Sequence, residues 1–189
     1  MINRNLCYHN DEFSLYFANL DDVRFAYDIM HTPEMREVLF QGGHDNISFD
    51  EYMRDEENFF SGVKNKNAYL LIEYGGENIG WISHSYNNAE IENFEIDIVL
   101  KALNLTGKGL GTKIITSLTD YLNKEYNVKT FIIRPGKHNQ RAIRAYEKSG
   151  FSTLGSFNAN EFYSKENAEL WGGGDYGVDG TYNMIKIYK

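Results

Sequence analysis

The chain has 189 residues, 42% of them hydrophobic and 15% aromatic, with only 2 prolines; that is enough apolar material for one packed domain and too much for a disordered chain. With 19 Lys and Arg against 27 Asp and Glu, the net charge is −8, which argues against nucleic-acid binding through a basic surface. The single cysteine, Cys7, allows no internal disulfide and fits a cytoplasmic protein.

Asp11 and Glu12 precede any apolar segment, so no signal peptide is expected, and runs such as Tyr69 to Ile72 are too short to span a membrane. Phe13, Leu15 and Phe17 alternate with smaller or polar residues and predict a strand with one buried face. Asn19 stands as an N-cap before Leu20, Val23, Tyr27 and Met30 at helical spacing, and Pro33 is read as the end of that helix. Gly42 and Gly43 mark a loop, and Ser48 with Glu51 forms a capping box before a second helix. A meander follows, with strands at 68–73, 78–86 and 92–100. Leu110, Ile114, Ile115, Leu118 and Leu122 trace a helix stripe, 128–133 is a buried strand, and 139–149 is a helix closed by Gly150. Strands at 151–157 and 181–188 flank a polar tract, 158–179, which is expected to be a mobile loop or an insertion at a substrate site. The order β-α-α-β-β-β-α-β-α-β-β predicts a single α/β domain over 1–189 with a mixed sheet.

The segment Thr106-Gly107-Lys108-Gly109-Leu110-Gly111-Thr112 joins a strand to a strong helix. Glycines there let the backbone approach a ligand, and the helix N-terminus presents free N–H groups that suit a pyrophosphate. The spacing fits neither the dinucleotide-binding G-x-G-x-x-G order nor a P-loop. A turn shaped by packing alone would look the same on spacing. A second segment, Asn139-Gln140-Arg141-Ala142-Ile143-Arg144-Ala145-Tyr146-Glu147-Lys148-Ser149-Gly150-Phe151, opens a helix after a buried strand.

Together the two segments resemble the GNAT superfamily of acetyl-CoA-dependent N-acetyltransferases. The resemblance implies a mostly antiparallel central sheet with one splayed parallel strand pair, flanked by helices. It implies that Gly107, Lys108, Gly109, Leu110, Gly111 and Thr112 hold the coenzyme's pyrophosphate, although Thr106 stands where the family has Arg or Gln. It further implies that the backbone of Ile98, Val99 and Leu100 meets the pantetheine arm and the thioester carbonyl, and that Asn139 hydrogen-bonds the cofactor. As a plain N-cap, Asn139 would need no such role. Within the superfamily, Phe40-Gln41-Gly42-Gly43, Asp97, Lys108 to Thr112 and Arg141 to Tyr146 look like the aminoglycoside 6′-N-acetyltransferases, so antibiotic resistance would follow from an aminoglycoside acceptor.

Transfer of an acetyl group to an amine needs a neutral nucleophile, a polarised carbonyl and a proton for the leaving thiolate. The resemblance makes Asp97 the base or amine anchor and Tyr146 the acid. Glu95 lies two residues from Asp97 on the same strand face and would share an ammonium with it. Arg134 stands where the subfamily has a second aspartate; beside an amine it would cost roughly 1 to 4 kcal/mol at 4 Å. Lys108, Lys113, Lys137, Arg141, Arg144 and Lys148 gather around the two motifs, and an acidic tract holds Glu161, Glu166, Glu169, Asp175 and Asp179. The histidines show no metal spacing, so no metal is expected. The reading is direct acetyl transfer from acetyl-CoA to a primary amine of a small molecule, aminoglycoside-like or polyamine-like. Acetylation of a protein or peptide N-terminus or lysine, and a non-catalytic CoA sensor, remain alternatives. No nucleic acid or membrane partner is expected, and the fold admits a homodimer whose interface the sequence does not name.

Overall fold

The computed structural model describes residues 4–40 and 47–189. Gln41, Gly42 and Gly43, part of the subfamily match, with Gly42 and Gly43 marking the expected loop, lie outside the described residues. The chain divides into two compact units. One holds the residues up to His84 with Ile98–Thr106; the other holds Ser85–Asp97 with Gly107–Lys189.

In the first unit, β1 (Leu6–His9), β2 (Phe13–Phe17), β3 (Ala68–Tyr74) and β4 (Glu77–Asn87) follow one another as antiparallel neighbours. The last three residues of β4 belong to the second unit. β1 went unread in the sequence because its four residues are exposed or half-buried and show no apolar alternation. Asn19 caps a short 3-10 turn, Leu20–Asp22, which runs into α1 (Val23–Met30). That helix ends at Met30, before Pro33 as expected. Pro33 also opens a separate helix that the sequence reading did not include, α2 (Pro33–Phe40), at the first position, where its missing N–H costs nothing. α3 (Phe49–Glu56) carries the expected capping box, with Ser48 accepting from Glu51 N and Glu51 accepting from Ser48 N. The helices bury Val23, Ala26, Ile29, Met35 and Tyr52 in a core completed by Tyr69, Leu71 and Trp81 from the sheet. Tyr69 stacks on Phe60 with centroids 4.5 Å apart.

In the second unit the strand order is β5 (Asn93–Leu100), β6 (Thr130–Ile133), β8 (Met184–Ile187) and β7 (Ser152–Thr153), and β5 continues past Asp97 into the first unit. β5 and β6 are parallel and pair through Asn93↔Thr130, Phe94↔Phe131 and Glu95↔Ile132, while β5 runs on beyond that ladder. The pairs β6–β8 and β7–β8 are antiparallel. The expected mixed sheet is therefore present. Between β5 and β6 in the chain lies α4 (Leu110–Tyr126), the kind of crossover a parallel pair requires. α4 buries Ile114, Ile115, Leu118 and Leu122 completely.

α5 (Gln140–Lys148) buries Ile143 and Tyr146. Its end is fastened to the start of α4: the Thr112 hydroxyl donates to Ala145 O at 3.3 Å, and the Ser149 hydroxyl donates to Ala145 O at 2.8 Å and Thr112 O at 3.4 Å.

The strand expected at 151–157 is only two residues long. The chain turns out of the sheet after Leu154 so that Phe157 can stack on Phe162, with ring centroids 5.1 Å apart. The tract 158–179 carries three short helices, α6 (Ala159–Phe162), α7 (Lys165–Trp171) and α8 (Gly177–Gly180), the first two capped by Asn158 and Ser164. Phe162 and Tyr163 pack with Ile132, and the buried Asn93 amide donates to Phe162 O at 2.9 Å. Polar composition hid these few apolar anchors.

Candidate active site

The glycine turn leads into α4 with Gly107 at φ +76° and Gly109 at φ +84°. Both are in the left-handed region, which a residue with a Cβ enters only with strain. Gly109 is the N-cap, and no side chain caps the helix there. A Cβ built on Gly107, Gly109 or Gly111 would find nothing within 4 Å. The first-turn N–H groups of Leu110, Gly111 and Thr112 have no carbonyl within the helix to bond. An open cradle of backbone donors at the positive end of a 17-residue helix fits a pyrophosphate. Lys108 and Lys113 are exposed beside it.

Asp97 and Glu95 share a face of β5, as strand alternation requires. Asp97 is exposed and Glu95 half-buried. Tyr146 reaches this region from α5 and is only 7% exposed. Burial pushes its phenol above the ordinary range, and the Asp97 charge and Tyr176 push the same way. A phenol so raised keeps its proton at neutral pH and can act as a donor. Tyr176 is also raised, first by burial, then by Asp175 and Asp97. Its ring meets His138 edge-on at 5.2 Å, and a Cβ on Gly136 would strike the His138 ring at 2.3 Å. Asp97 therefore acts on two phenols at once.

Glu95 is held differently. The Tyr163 hydroxyl donates to its Oε2 at 2.7 Å. Burial raises the Glu95 carboxyl; the Tyr163 bond and the Arg134 charge pull it back, and Asp175 raises it again. Tyr163 itself is raised, with burial the largest cause and the Glu95 charge next.

Arg134, just after β6, is 7% exposed. Its Nε donates to Asn183 Oδ1 at 2.9 Å, Nη1 to the Tyr163 hydroxyl and to Trp171 O, both at 2.7 Å, and Nη2 to Gly172 O at 2.8 Å. The guanidinium also lies 4.3 Å from the Phe157 ring centroid. Four of its five N–H donors thus go to the chain's own groups. The cation expected beside an amine is matched from within.

Asn139 is the N-cap of α5, its Oδ1 accepting from Ala142 N at 3.1 Å. Lys137, read as part of a cationic rim, donates to Asp179 O at 2.7 Å. Glu95, Asp97, Arg134, Asn139, Tyr146 and Gly107 to Thr112 all belong to the second unit; Ile98, Val99 and Leu100 continue the strand in the first, where Val99 and Leu100 are buried. Sequence reasoning missed Tyr163 and Tyr176. Asp175 was visible only as one acid of a tract, since nothing local tells where residues 158–179 fold back. Among the described residues no three His, Cys, Asp or Glu side chains form a metal-binding group, and no helix is long and apolar enough to cross a membrane.

The acetyltransferase (GNAT) domain profile matches residues 15–152. The aminoglycoside N(6′)-acetyltransferase type 1 of Klebsiella pneumoniae is 41% identical over 61 residues, which cover 32% of this chain and 30% of that protein. A kanamycin resistance protein of Rhizobium radiobacter is also 41% identical over 61 residues, 32% of this chain and 56% of its own length. Both matches thus span less than two thirds of the relative. Among solved structures, the aminoglycoside acetyltransferase AAC(6′)-Ib with coenzyme A and kanamycin has a TM-score of 0.66 at 19% identity, covering 93% of this chain and 94% of its own. The spermidine N-acetyltransferase of Vibrio cholerae with CoA and spermine has a TM-score of 0.67 at 21% identity, covering 94% and 96%. At such identities the likeness is one of fold.

Proposed function

The chain belongs to the acetyltransferase (GNAT) family, and on that premise we propose that it transfers the acetyl group of acetyl-CoA directly to a primary amine of a small cationic molecule, aminoglycoside-like or polyamine-like. The whole chain is read as one GNAT domain working in the cytoplasm. The observation that carries the reading is the buried Tyr146 phenol within electrostatic reach of the Asp97 carboxylate, in the same unit as the open glycine turn.

Each residue then has a task. The N–H groups from Leu110 to Thr112 hold the pyrophosphate, with Lys108 adding positive charge. The backbone of Ile98 to Leu100 meets the pantetheine arm, and Asn139 supports it while capping α5. Bound acetyl-CoA supplies the activated acetyl group. Asp97 and Glu95 receive the ammonium, and Asp97 takes its proton directly or through water, which frees the nitrogen lone pair. Tyr146 holds the proton that the departing thiolate needs. The acids Glu95, Asp97 and Asp175 favour a cationic acceptor. The compositions of the ligands in the AAC(6′)-Ib and Vibrio complexes, kanamycin and spermine, are of the same polyamine character.

Thiol release from acetyl-CoA across aminoglycosides, polyamines, amino acids and short peptides tests this. Turnover is expected with a cationic small amine, reduced by about 10²- to 10⁴-fold in Tyr146→Phe. Turnover with peptides alone would move the acceptor to protein, and coenzyme binding without thiol release from any amine would leave a sensor.

A further inference from the structure

We propose that Arg134 is a positioning residue for the acceptor end of this site, orienting the Glu95 carboxylate through the Tyr163 hydroxyl and holding the 171–176 segment through the carbonyls of Trp171 and Gly172. This rests on the acetyl-transfer reading above.

The direction of each hydrogen bond follows from the donor inventory. Arginine can only donate, so the Tyr163 oxygen accepts from Nη1. The single Tyr163 proton must then go to Glu95 Oε2. The relay is directional, Arg134 to Tyr163 to Glu95, and it fixes the rotation of the carboxylate. Nη1, together with Nη2, also grips two consecutive carbonyls, Trp171 O and Gly172 O, which lie four residues before Asp175 and Tyr176 respectively. Phe157 lies against the guanidinium face, which leaves the planar fork one orientation. A lysine, with a single nitrogen, cannot bridge these partners. Gly174 completes the fit: a Cβ there would come within 3.0 Å of Arg134 Nη2 and 2.6 Å of the Thr181 hydroxyl.

The electrical result follows from the same geometry. Glu95 faces Tyr163, the Arg134 charge and Asp175, with Asp97 two residues along its own strand. Burial and Asp175 favour the neutral acid; Tyr163 and Arg134 favour the anion that can receive an ammonium. Arg134 thus supports the amine site from behind, as an internal counter-charge.

Tyr163→Phe removes one oxygen and cuts the relay. Three quantities are read: the titration midpoint of the Glu95 side-chain carboxyl by ¹³C NMR in the free protein, the pH profile of kcat/KM for the best amine, and the acetyl-CoA Kd. Removing a bond to the anion raises the carboxyl midpoint, so a rise of about one pH unit is expected. The acid limb of kcat/KM should rise with it, and the acetyl-CoA Kd should stay unchanged. Arg134→Lys, a second variant that keeps the charge and loses the fork, should move the midpoint and the acid limb in the same direction. An unmoved carboxyl midpoint would overturn the relay. A moved midpoint with a fixed acid limb would overturn the role of Glu95 in the reaction. A wild-type protein that acetylates no amine would overturn the transfer reading and the positioning role with it, while the titration would still report separately on the relay.

Discussion

At the Gly107 to Thr112 turn, among the described residues, a Cβ would touch nothing at its three glycines, and the helix behind it has no side-chain cap. Around Glu95 the opposite holds. Tyr163, Arg134, Phe157 and the carbonyls of Trp171 and Gly172 are tied to one another by hydrogen bonds and ring contacts. One region presents backbone, whose donors are set by φ and ψ and survive most changes of side chain. The other presents side chains, each dependent on several partners.

The contrast can be broken at its most interlocked point. Arg134→Ala removes a 7% exposed guanidinium, frees two carbonyls and takes the counter-charge from half-buried Glu95, and should cost about 3 to 5 kcal/mol of unfolding free energy, read by urea denaturation. A loss under about 1 kcal/mol would mean that the cluster is held by packing alone. The backbone region should respond to conformation. Gly109→Ala forces a left-handed φ on alanine at about 1 to 2 kcal/mol. If the residue relaxes by turning its N–H groups, acetyl-CoA Kd should rise roughly tenfold, measured by calorimetry; an unchanged Kd would separate the turn from the coenzyme. The smallest effect is expected at Lys108→Ala. An exposed charge contributes under about 1 kcal/mol, so Kd should rise only a few-fold at low salt and converge with wild type at high salt.

The two regions were unequally legible in sequence for the same reason. The turn, the alternation that puts Glu95 and Asp97 on one face, and the α5 motif with Asn139 and Tyr146 are local patterns, readable within a dozen residues. Arg134 was read by position as a cation facing the acceptor. Its partners Tyr163, Trp171, Gly172 and Asn183 lie 29 to 49 residues away, the first three in a tract whose polar composition says loop. Tyr163 and Tyr176 could not be selected from 14 tyrosines without knowing that this tract folds back. Pro33 was half legible: α1 ends before it as expected, while the helix that it opens was not read, because the same residue that follows one helix can start the next.

The fastening of α4 to α5 sets a tolerance. Thr112 sits in the first turn of α4 and Ala145 stands next to Tyr146, and the Thr112 and Ser149 hydroxyls clamp their backbones together. In the proposed reaction the turn would hold the donor and Tyr146 would serve the leaving sulfur, and these hydrogen bonds join the two directly. The two are cut to a single gauge, so on the proposed reading a donor seated out of true at the turn would be out of true for Tyr146 as well.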